Sequence, residues 1–181
     1  MELTDGIVTL RPPRPDDAGW VTDSCRDPET QQWLPGLPSP YGPADAEAWL
    51  DLCAHAWATG DAAPFVITAA ADGERLGVIE LRFGSPADVG YWAAPAGRGR
   101  GAVTRALVLL VAYGFGRGLE RIELFTLPDN VRSQAVALRA GFVRDGSVPG
   151  KIPSRDGVSY DAFRFTLTPG APRAAAAAAG A

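Results

Sequence analysis

Residues 89–119 of the chain read VGYWAAPAGRGRGAVTRALVLLVAYGFGRGL. A strand-like start is followed by the glycine-rich turn PAGRGRG and then by an apolar run, residues 102–115, which predicts a buried helix. The window holds no aspartate or glutamate, but it carries four arginines, Arg98, Arg100, Arg105 and Arg117. Free backbone N–H groups and the helix dipole form an anion site where a strand turns into a helix. We therefore expect a phosphate group to bind at this turn.

Three other interpretations of the turn have to be weighed. A Walker loop ends in Gly-Lys followed by Ser or Thr, and the turn has no such ending. A dinucleotide fingerprint can be spelled from Gly97, Gly99 and Ala102 with Glu123 downstream, but that motif opens a series of βαβ units. Here three strand-like runs precede the turn, so we rank this interpretation low. A flexible glycine-rich connector without a ligand also stays open.

The pattern of the remaining chain predicts a mixed α/β sheet. Strand-like runs occupy residues 7–10, 64–71, 75–83, 87–94, 121–126, 142–148 and 159–167. Helical patterns follow residue 15 and cover residues 43–59, 102–115 and 131–140. We expect an α/β (α+β) domain whose mostly antiparallel central sheet has about seven strands and four helices. The proline-rich segment 27–43 is predicted to be a loop over a cleft.

Composition limits the function classes. Apolar residues make up 46% of the 181 residues and charged residues 21%, which is typical of a globular domain. We expect one domain over residues 1–168 and a flexible Ala-rich tail over 169–181. The net charge of −4 argues against a nucleic-acid partner. Cys25, Cys53 and His55 do not make a metal site, and no membrane-spanning run or signal peptide is visible, so we expect a cytoplasmic protein without a metal.

The glycine-rich window resembles the acetyl-CoA signature of the GNAT superfamily of N-acetyltransferases. The core pattern of that signature is Gln/Arg-x-x-Gly-x-Gly/Ala, and Arg98 and Gly101 occupy its first and fourth places. Val103 stands at the sixth place, where the family has a small residue. A second segment, PDNVRSQAVALRAGF, is similar to the family's Asn-x-x-Ser segment that ends in Gly-Phe. Its matching residues are Asn130, Ser133, Gly141 and Phe142.

The stretch WLPGLPSPYGPADAEAWL, residues 33–50, resembles the RimJ/RimL subgroup at the segment that covers the acceptor site. With Trp33 and Tyr41, the Pro-rich loop itself suggests an acceptor floor that has aromatic and apolar parts. In many relatives outside this subgroup, a tyrosine four residues before the glycine of Gly-Phe acts as the catalytic acid. In this chain that position is Ala137. The subgroup instead implies Ser133 as the acid, and capping of a helix is the alternative role for this serine.

The resemblance also implies how acetyl-CoA binds. Its pantetheine arm lies where two neighbouring parallel strands, here GYWAA and RIELFT, splay apart and leave backbone groups free. We expect cofactor contacts from the first strand, from the turn and from the second motif. The residues are Tyr91, Trp92, Ala93, Arg98, Gly99, Arg100, Gly101, Ala102, Val103, Asn130 and Ser133. At least one of the side chains of Tyr91 and Trp92 should pack in the core without contacting the cofactor, because neighbouring strand residues point to opposite faces of the sheet.

Two carboxylates are candidates for the catalytic base. Glu80 is the only acid in RLGVIELRF, and Asp88 lies two residues before Gly90. The alternative role of Glu80 is pairing with Arg82 on a solvated face. A peptide α-amine has a pKa of about 7.7–8.0 against about 10.4 for lysine, so an α-amine asks less of any base.

The expected activity is direct transfer of an acetyl group from acetyl-CoA to a primary amine in a ternary complex. The resemblance favours a protein or peptide N-terminal α-amine. A small-molecule amine such as an aminoglycoside stays open, and so does a non-catalytic acyl-CoA-binding module. The aromatic residues among the first sixty would suit a homodimer face without requiring one.

Overall fold

A computed structural model describes residues 1–170 of the chain. The strands are β1 (Leu3–Thr4), β2 (Val8–Arg11), β3 (Ala62–Ala69), β4 (Arg75–Arg82), β5 (Ala87–Ala93), β6 (Ile122–Thr126), β7 (Val143–Pro153) and β8 (Ser159–Leu167). The helices are α1 (Ala18–Arg26), α2 (Pro28–Trp33), α3 (Pro43–Thr59), α4 (Ala102–Gly116) and α5 (Val131–Arg139). All eight strands form one sheet in the order β1-β2-β3-β4-β5-β6-β8-β7. The predicted mixed α/β class is confirmed.

The long helix α3 has the predicted bounds, residues 43–59, and the residues at its two ends explain why. Pro43 stands at its first position, where a missing N–H costs nothing. The carboxylate of Asp45 accepts the N–H of Gly42 at 2.7 Å and closes the first turn. Gly60 ends the helix in the left-handed conformation, with φ of 78°. Both ends are therefore specified by local sequence.

The loop predicted over residues 27–43 is corrected by the structure, because its first part folds as α2. Asp27 caps this helix by accepting the N–H of Thr30 at 2.9 Å, and Pro28 occupies the first helical position. The high proline content of the segment concealed this short helix. Together with the two-residue strand β1, α2 raises the described count from about seven strands and four helices to eight strands and five α-helices.

Helices cover both faces of the sheet. Trp92 of β5 stacks on Trp20 of α1, with ring centroids 5.4 Å apart, whereas Tyr91 contacts Ser133 of α5. Since neighbouring strand residues point to opposite faces, α1 and α5 lie on opposite sides of the sheet. We name these sides the α1 face and the α5 face. The main core lies between the sheet and α4, on the α5 face.

The centre of the sheet contains a splay. Strands β5 and β6 are parallel and pair at only three positions, the last of which joins Val89 to Leu124. Beyond them β5 stays paired with β4 as far as Ala93, and β6 stays paired with β8 as far as Thr126. The facing edges of β5 and β6 therefore leave backbone groups free, as the resemblance implied.

A buried ion pair secures the start of α1. Asp17 has no exposed surface and accepts hydrogen bonds from Arg11 at 2.7 and 2.8 Å and from Arg75 at 2.6 Å. Burial alone would raise the pKa of Asp17, but these bonds outweigh it and the pKa lies below its usual value.

Two expectations concern the ends and the exterior of the chain. Beyond Gly170, the predicted flexible tail of residues 169–181 lies outside the described residues. In the described part of the chain, none of the helices has both the length and the hydropathy needed to cross a membrane.

Candidate active site

A cleft of about 1710 Å³ opens at the splay between β5 and β6. Its walls come from the free strand edges, the glycine-rich turn, the first turn of α4, one side of α5, and segments of α2 and β7. The cleft includes most residues that the sequence nominated for cofactor binding. Those residues are Tyr91, Trp92, Ala93, Arg98, Gly99, Gly101, Ala102, Val103, Asn130 and Ser133.

The turn before α4 presents a series of unpaired amides. Gly99 and Gly101 have φ values of 71° and 72°, in the left-handed region that glycine adopts without strain. The first backbone bond of α4 runs from the N–H of Arg105 to the carbonyl of Gly101, at 3.1 Å. Among residues 1–170, no backbone acceptor pairs with the N–H groups of residues 99–104. This arrangement can bind an anion through backbone alone.

The side chain at the sixth signature place does not block the turn. Val103 is buried, with 7% of its surface exposed, and its side chain belongs to the main core. The departure from a small residue at this place is therefore accommodated by the core, and Val103 still lines the cleft.

The arginines of the turn are engaged by acids from distant segments. Arg98 pairs with Asp27 and, at 3.4 Å, with Glu29, both in or beside α2. The bond from Arg98 lowers the pKa of Asp27 to about 2. Arg105 pairs with Asp5 at 2.9 Å. The positive charge that the local sequence suggested is therefore largely compensated, and the amides are the stronger argument for an anion site.

Arg100 does not border the cleft, which corrects the expectation for this residue. Its guanidinium pairs with Glu74 in the turn between β3 and β4 and donates to the carbonyl of Ala96 at 3.1 Å. These two contacts hold the Arg100 side chain outside the cleft.

Ser133 lies at the start of α5 beside the phenol of Tyr91. The two hydroxyl oxygens are 2.9 Å apart, and the Tyr91 hydroxyl also donates to the Ser133 carbonyl at 3.1 Å. Asn130 caps the helix as expected, because its side-chain oxygen accepts the Ser133 N–H at 3.0 Å. Burial raises the pKa of Tyr91 to about 12, although the bond to Ser133 acts in the opposite direction. Tyr91 is therefore protonated at neutral pH.

The two candidate bases lie on the α1 face and share one partner. Arg82 donates to Glu80 at 3.0 Å and to Asp88 at 3.1 Å. Asp88 borders the cleft. Glu80 does not border it, and its pairing with Arg82 matches the alternative role weighed for this residue. Burial would lower the pKa of Arg82, but the bonds to both carboxylates outweigh it and raise the pKa.

Of the two aromatic residues expected to contact the acceptor, only Trp33 borders the cleft. Tyr41 is 4% exposed and belongs to the second core cluster, together with Val21, Cys25 and Ala46. Burial raises the pKa of the Tyr41 phenol above its usual value. The placement of Tyr41 at the acceptor floor is corrected, because its side chain packs in the core between α1 and α3.

Sequence reasoning missed many residues of the cleft, among them Phe125, Thr126 and Lys151. Lys151 of β7 lies over the Phe125 ring, with its Nζ 4.2 Å from the ring centroid. Thr126 is 3% exposed, and its hydroxyl is the one buried side-chain polar atom in the described chain without a hydrogen-bond partner. Side chains alternate between the two faces along RIELFT, which could have placed Thr126 on the same buried face as Leu124. The sequence alone could not show that Thr126 borders a cleft.

The cleft fits the chemistry of coenzyme A. Unpaired amides at the turn suit a diphosphate, and the free edges of β5 and β6 suit an arm that carries amide groups. Three residues that carry hydroxyl groups, Tyr91, Thr126 and Ser133, line the same cleft, where a thiol or thioester would need hydrogen-bonding partners.

Comparison with known proteins agrees with this geometry. The model of the "Acetyltransferase (GNAT) domain" family matches residues 8–143. The candidate ribosomal N-acetyltransferase YdaF of Bacillus subtilis (strain 168) is 33% identical over 101 residues, 53% of this chain and 52% of YdaF. The ribosomal-protein-serine acetyltransferase of Escherichia coli (strain K12) is 35% identical over 78 residues, 40% of this chain and 44% of that protein. The chain thus spans about half the length of these curated relatives.

A solved structure extends the likeness to the whole fold. Mycobacterium smegmatis RimJ in complex with CoA-disulfide superposes with a TM-score of 0.80 and 27% identity, covering 93% of this chain and 86% of RimJ. Other neighbours with this fold were also crystallised with CoA or acetyl-CoA. On the combined evidence of the family match, the splayed sheet and the amide-lined turn, the chain belongs to the GNAT family of acetyltransferases.

Proposed function

We propose that this acetyltransferase acts on the N-terminal α-amine of a protein or peptide, within a domain formed by residues 1–168. The cleft carries the proposal, because it is open, large and lined on its acceptor side by both apolar and charged groups, among them Trp33, Asp88 and Lys151. Relatives described as ribosomal-protein acetyltransferases support the same acceptor class. An α-amine is also the primary amine most easily deprotonated near neutral pH.

The amides of residues 99–104 hold the diphosphate of acetyl-CoA in this proposal, with the positive end of the α4 dipole behind them. The free backbone groups of Tyr91, Trp92 and Ala93 orient the pantetheine arm. Bound acetyl-CoA supplies an activated acyl group as a thioester. A backbone N–H on β5 is placed to polarise the thioester carbonyl, a contribution of about 3 kcal/mol in comparable sites.

Ser133 provides a proton to the departing sulfur, and Tyr91 orients Ser133 for this task. The phenol of Tyr91 has one proton, so when it donates to Ser133 Oγ instead of the Ser133 carbonyl, the Ser133 hydroxyl proton is free to point into the cleft. The raised pKa of Tyr91 keeps this donor protonated across the physiological range. Asn130 fixes the backbone of Ser133 through the helix cap.

Deprotonation of the amine belongs to the α1 face of the cleft. Asp88 borders the cleft there, and Glu80 supports it through their common partner Arg82. We assign Asp88 to accepting the amine proton through water, with Glu80 held beside it by Arg82. The proton donor for the thiol therefore lies on the α5 face, and the proton acceptor for the amine lies on the α1 face. This arrangement suits a transfer in which the amine enters on one side of the cleft and the thiol leaves on the other.

The test is release of free CoA thiol from acetyl-CoA in the presence of defined acceptors. The panel contains peptides with a free N-terminus, the same peptides with a blocked N-terminus and an internal lysine, and an aminoglycoside. We expect thiol release and addition of one acetyl group, seen by mass spectrometry, only with the free N-terminus.

Three other outcomes would contradict the proposal in different ways. Turnover of the blocked peptide would identify lysine as the acceptor, and turnover of the aminoglycoside would identify a small-molecule acetyltransferase. Binding of acetyl-CoA by calorimetry without turnover on any acceptor would favour the non-catalytic acyl-CoA-binding module.

A further inference from the structure

Thr126, the last residue of β6, carries a hydroxyl group that has no hydrogen-bond partner within the described chain. Its oxygen is fully buried and has no hydrogen-bond partner, in contrast to the other buried side-chain polar atoms of residues 1–170. Buried polar groups in native proteins are nearly always paired, so an exception calls for a partner that the free chain does not supply. Thr126 also borders the cleft, which gives such a partner a place to bind.

The register of the sheet locates Thr126 along the splay. The last paired position joins Val89 to Leu124, so Tyr91 and Thr126 each lie two residues beyond it on their strands. Two residues further along a strand a side chain returns to the same face. Thr126 thus occupies the α5 face, as Tyr91 does, and the two residues stand level with each other on opposite edges of the splay.

The neighbours of this position decide which part of a ligand it meets. The Tyr91 phenol continues to Ser133, the residue proposed to provide a proton to sulfur. The amides for the diphosphate lie elsewhere in the cleft, at the turn before α4. A ligand arm that runs between β5 and β6 from that turn reaches Tyr91 and Thr126 at its sulfur-bearing end.

We propose that the Thr126 hydroxyl, which is buried and has no partner within the chain, turns into the cleft by rotation about its Cα–Cβ bond when acetyl-CoA binds and forms a hydrogen bond with its sulfur-bearing end. This inference rests on the proposed function and adds a binding residue to it.

The test compares Thr126→Val with Thr68→Val. Thr68 is also buried in a strand, but its hydroxyl donates to the carbonyl of Thr9 at 3.2 Å and lies outside the cleft. In the free chain we expect Thr126→Val to leave the denaturant midpoint unchanged or raised, because no bond is lost, and Thr68→Val to lower it. Calorimetry should show acetyl-CoA affinity reduced about five- to tenfold by Thr126→Val only. The affinity for adenosine 3′,5′-bisphosphate, which lacks the pantetheine arm, should be unaffected.

A further variant, Thr126→Ser, keeps the hydroxyl and should restore most of the acetyl-CoA affinity. The inference is overturned if Thr126→Val binds acetyl-CoA as the unmodified chain does, or if it loses the bisphosphate to the same extent. Destabilisation equal to that of Thr68→Val would also overturn it, since the hydroxyl would then have a partner in the free chain. If the unmodified chain does not bind acetyl-CoA at all, the proposed function fails instead, so the two failures are distinguishable.

Discussion

In the proposed mechanism, the chemistry of the site depends on Tyr91 and Ser133. The sequence motif nominated Ser133, and the helix cap at Asn130 could be predicted from DNVRS. The phenol partner could not, because Tyr91 and Ser133 are 42 positions apart and meet only through the fold. Similarly, the acids that neutralise Arg98 and Arg105 come from residues 27–29 and from Asp5, which no local charge count reveals.

Removal of the Ser133 hydroxyl should affect transfer much more than binding. We expect Ser133→Ala to reduce kcat about a hundredfold, the lower range for a lost acid-base group, with the CoA dissociation constant within about twofold. Steady-state kinetics and calorimetry measure the two quantities. A change confined to affinity would withdraw the acid role and leave Ser133 as part of the helix start.

Tyr91→Phe should have a smaller effect in the same direction. The ring and its packing remain, while Ser133 loses the group that orients it, so we expect kcat to fall about tenfold with little change in CoA affinity. Tyr113→Phe is the matched control, because its hydroxyl bonds Arg117 at 2.8 Å outside the cleft. Equal kinetic losses in both variants would show that the phenol of Tyr91 has no special role.

At the scale of elements, the turn before α4 and the long helix α3 could be predicted almost completely from the sequence. Their ends are specified by proline, acidic and glycine residues close in the chain. Helix α2 was missed because six residues with one proline carry too little periodicity to stand out. The burial of Tyr41 could not be predicted either, because the phenol packs against Val21 and Cys25 of α1, which are distant in the chain.

A side chain at Gly101 should damage the anion site specifically. Alanine at a φ of 72° costs about 1 kcal/mol of folding free energy, and relaxation of this strain would turn the amides of the turn away from the ligand. Gly118→Ala is the control, with φ of 89°, open space around it and no place in the cleft. We expect similar losses in denaturant stability for both variants and weaker CoA binding, by calorimetry, for Gly101→Ala alone. Unchanged CoA binding in Gly101→Ala would argue against the amide site.

Across the whole molecule, the buried carboxylate of Asp17 ties β2, β4 and the start of α1 together. Asp17→Asn leaves Arg11 without its buried counter-charge and Arg75 with only the exposed Asp16, and we expect a loss of about 3 kcal/mol in the free energy of unfolding. Asp16→Asn, whose side chain is 70% exposed, should change it by less than about 0.5 kcal/mol. Chemical denaturation of both variants measures the difference. Equal effects would mean that the buried network contributes little.

The same carboxylate predicts how stability depends on pH. The folded pKa of Asp17 lies below its unfolded value, so its contribution is complete above about pH 4 and is lost as the pH falls through the folded pKa. Asp27, with a folded pKa of about 2, acts in the same direction. Acid titration followed by circular dichroism should show a flatter profile for Asp17→Asn. A profile parallel to that of the unmodified chain would contradict this assignment.

The three-position pairing of β5 with β6 also has a dynamic consequence. Few backbone hydrogen bonds therefore join the first five strands of the sheet to the last three. Amide protons along the open edge from Gly90 to Ala93 should therefore exchange with deuterium faster than those on the neighbouring strand β4. A ligand arm bound between β5 and β6 would connect the two parts of the sheet. Hydrogen–deuterium exchange mass spectrometry should then record slower exchange in both strands.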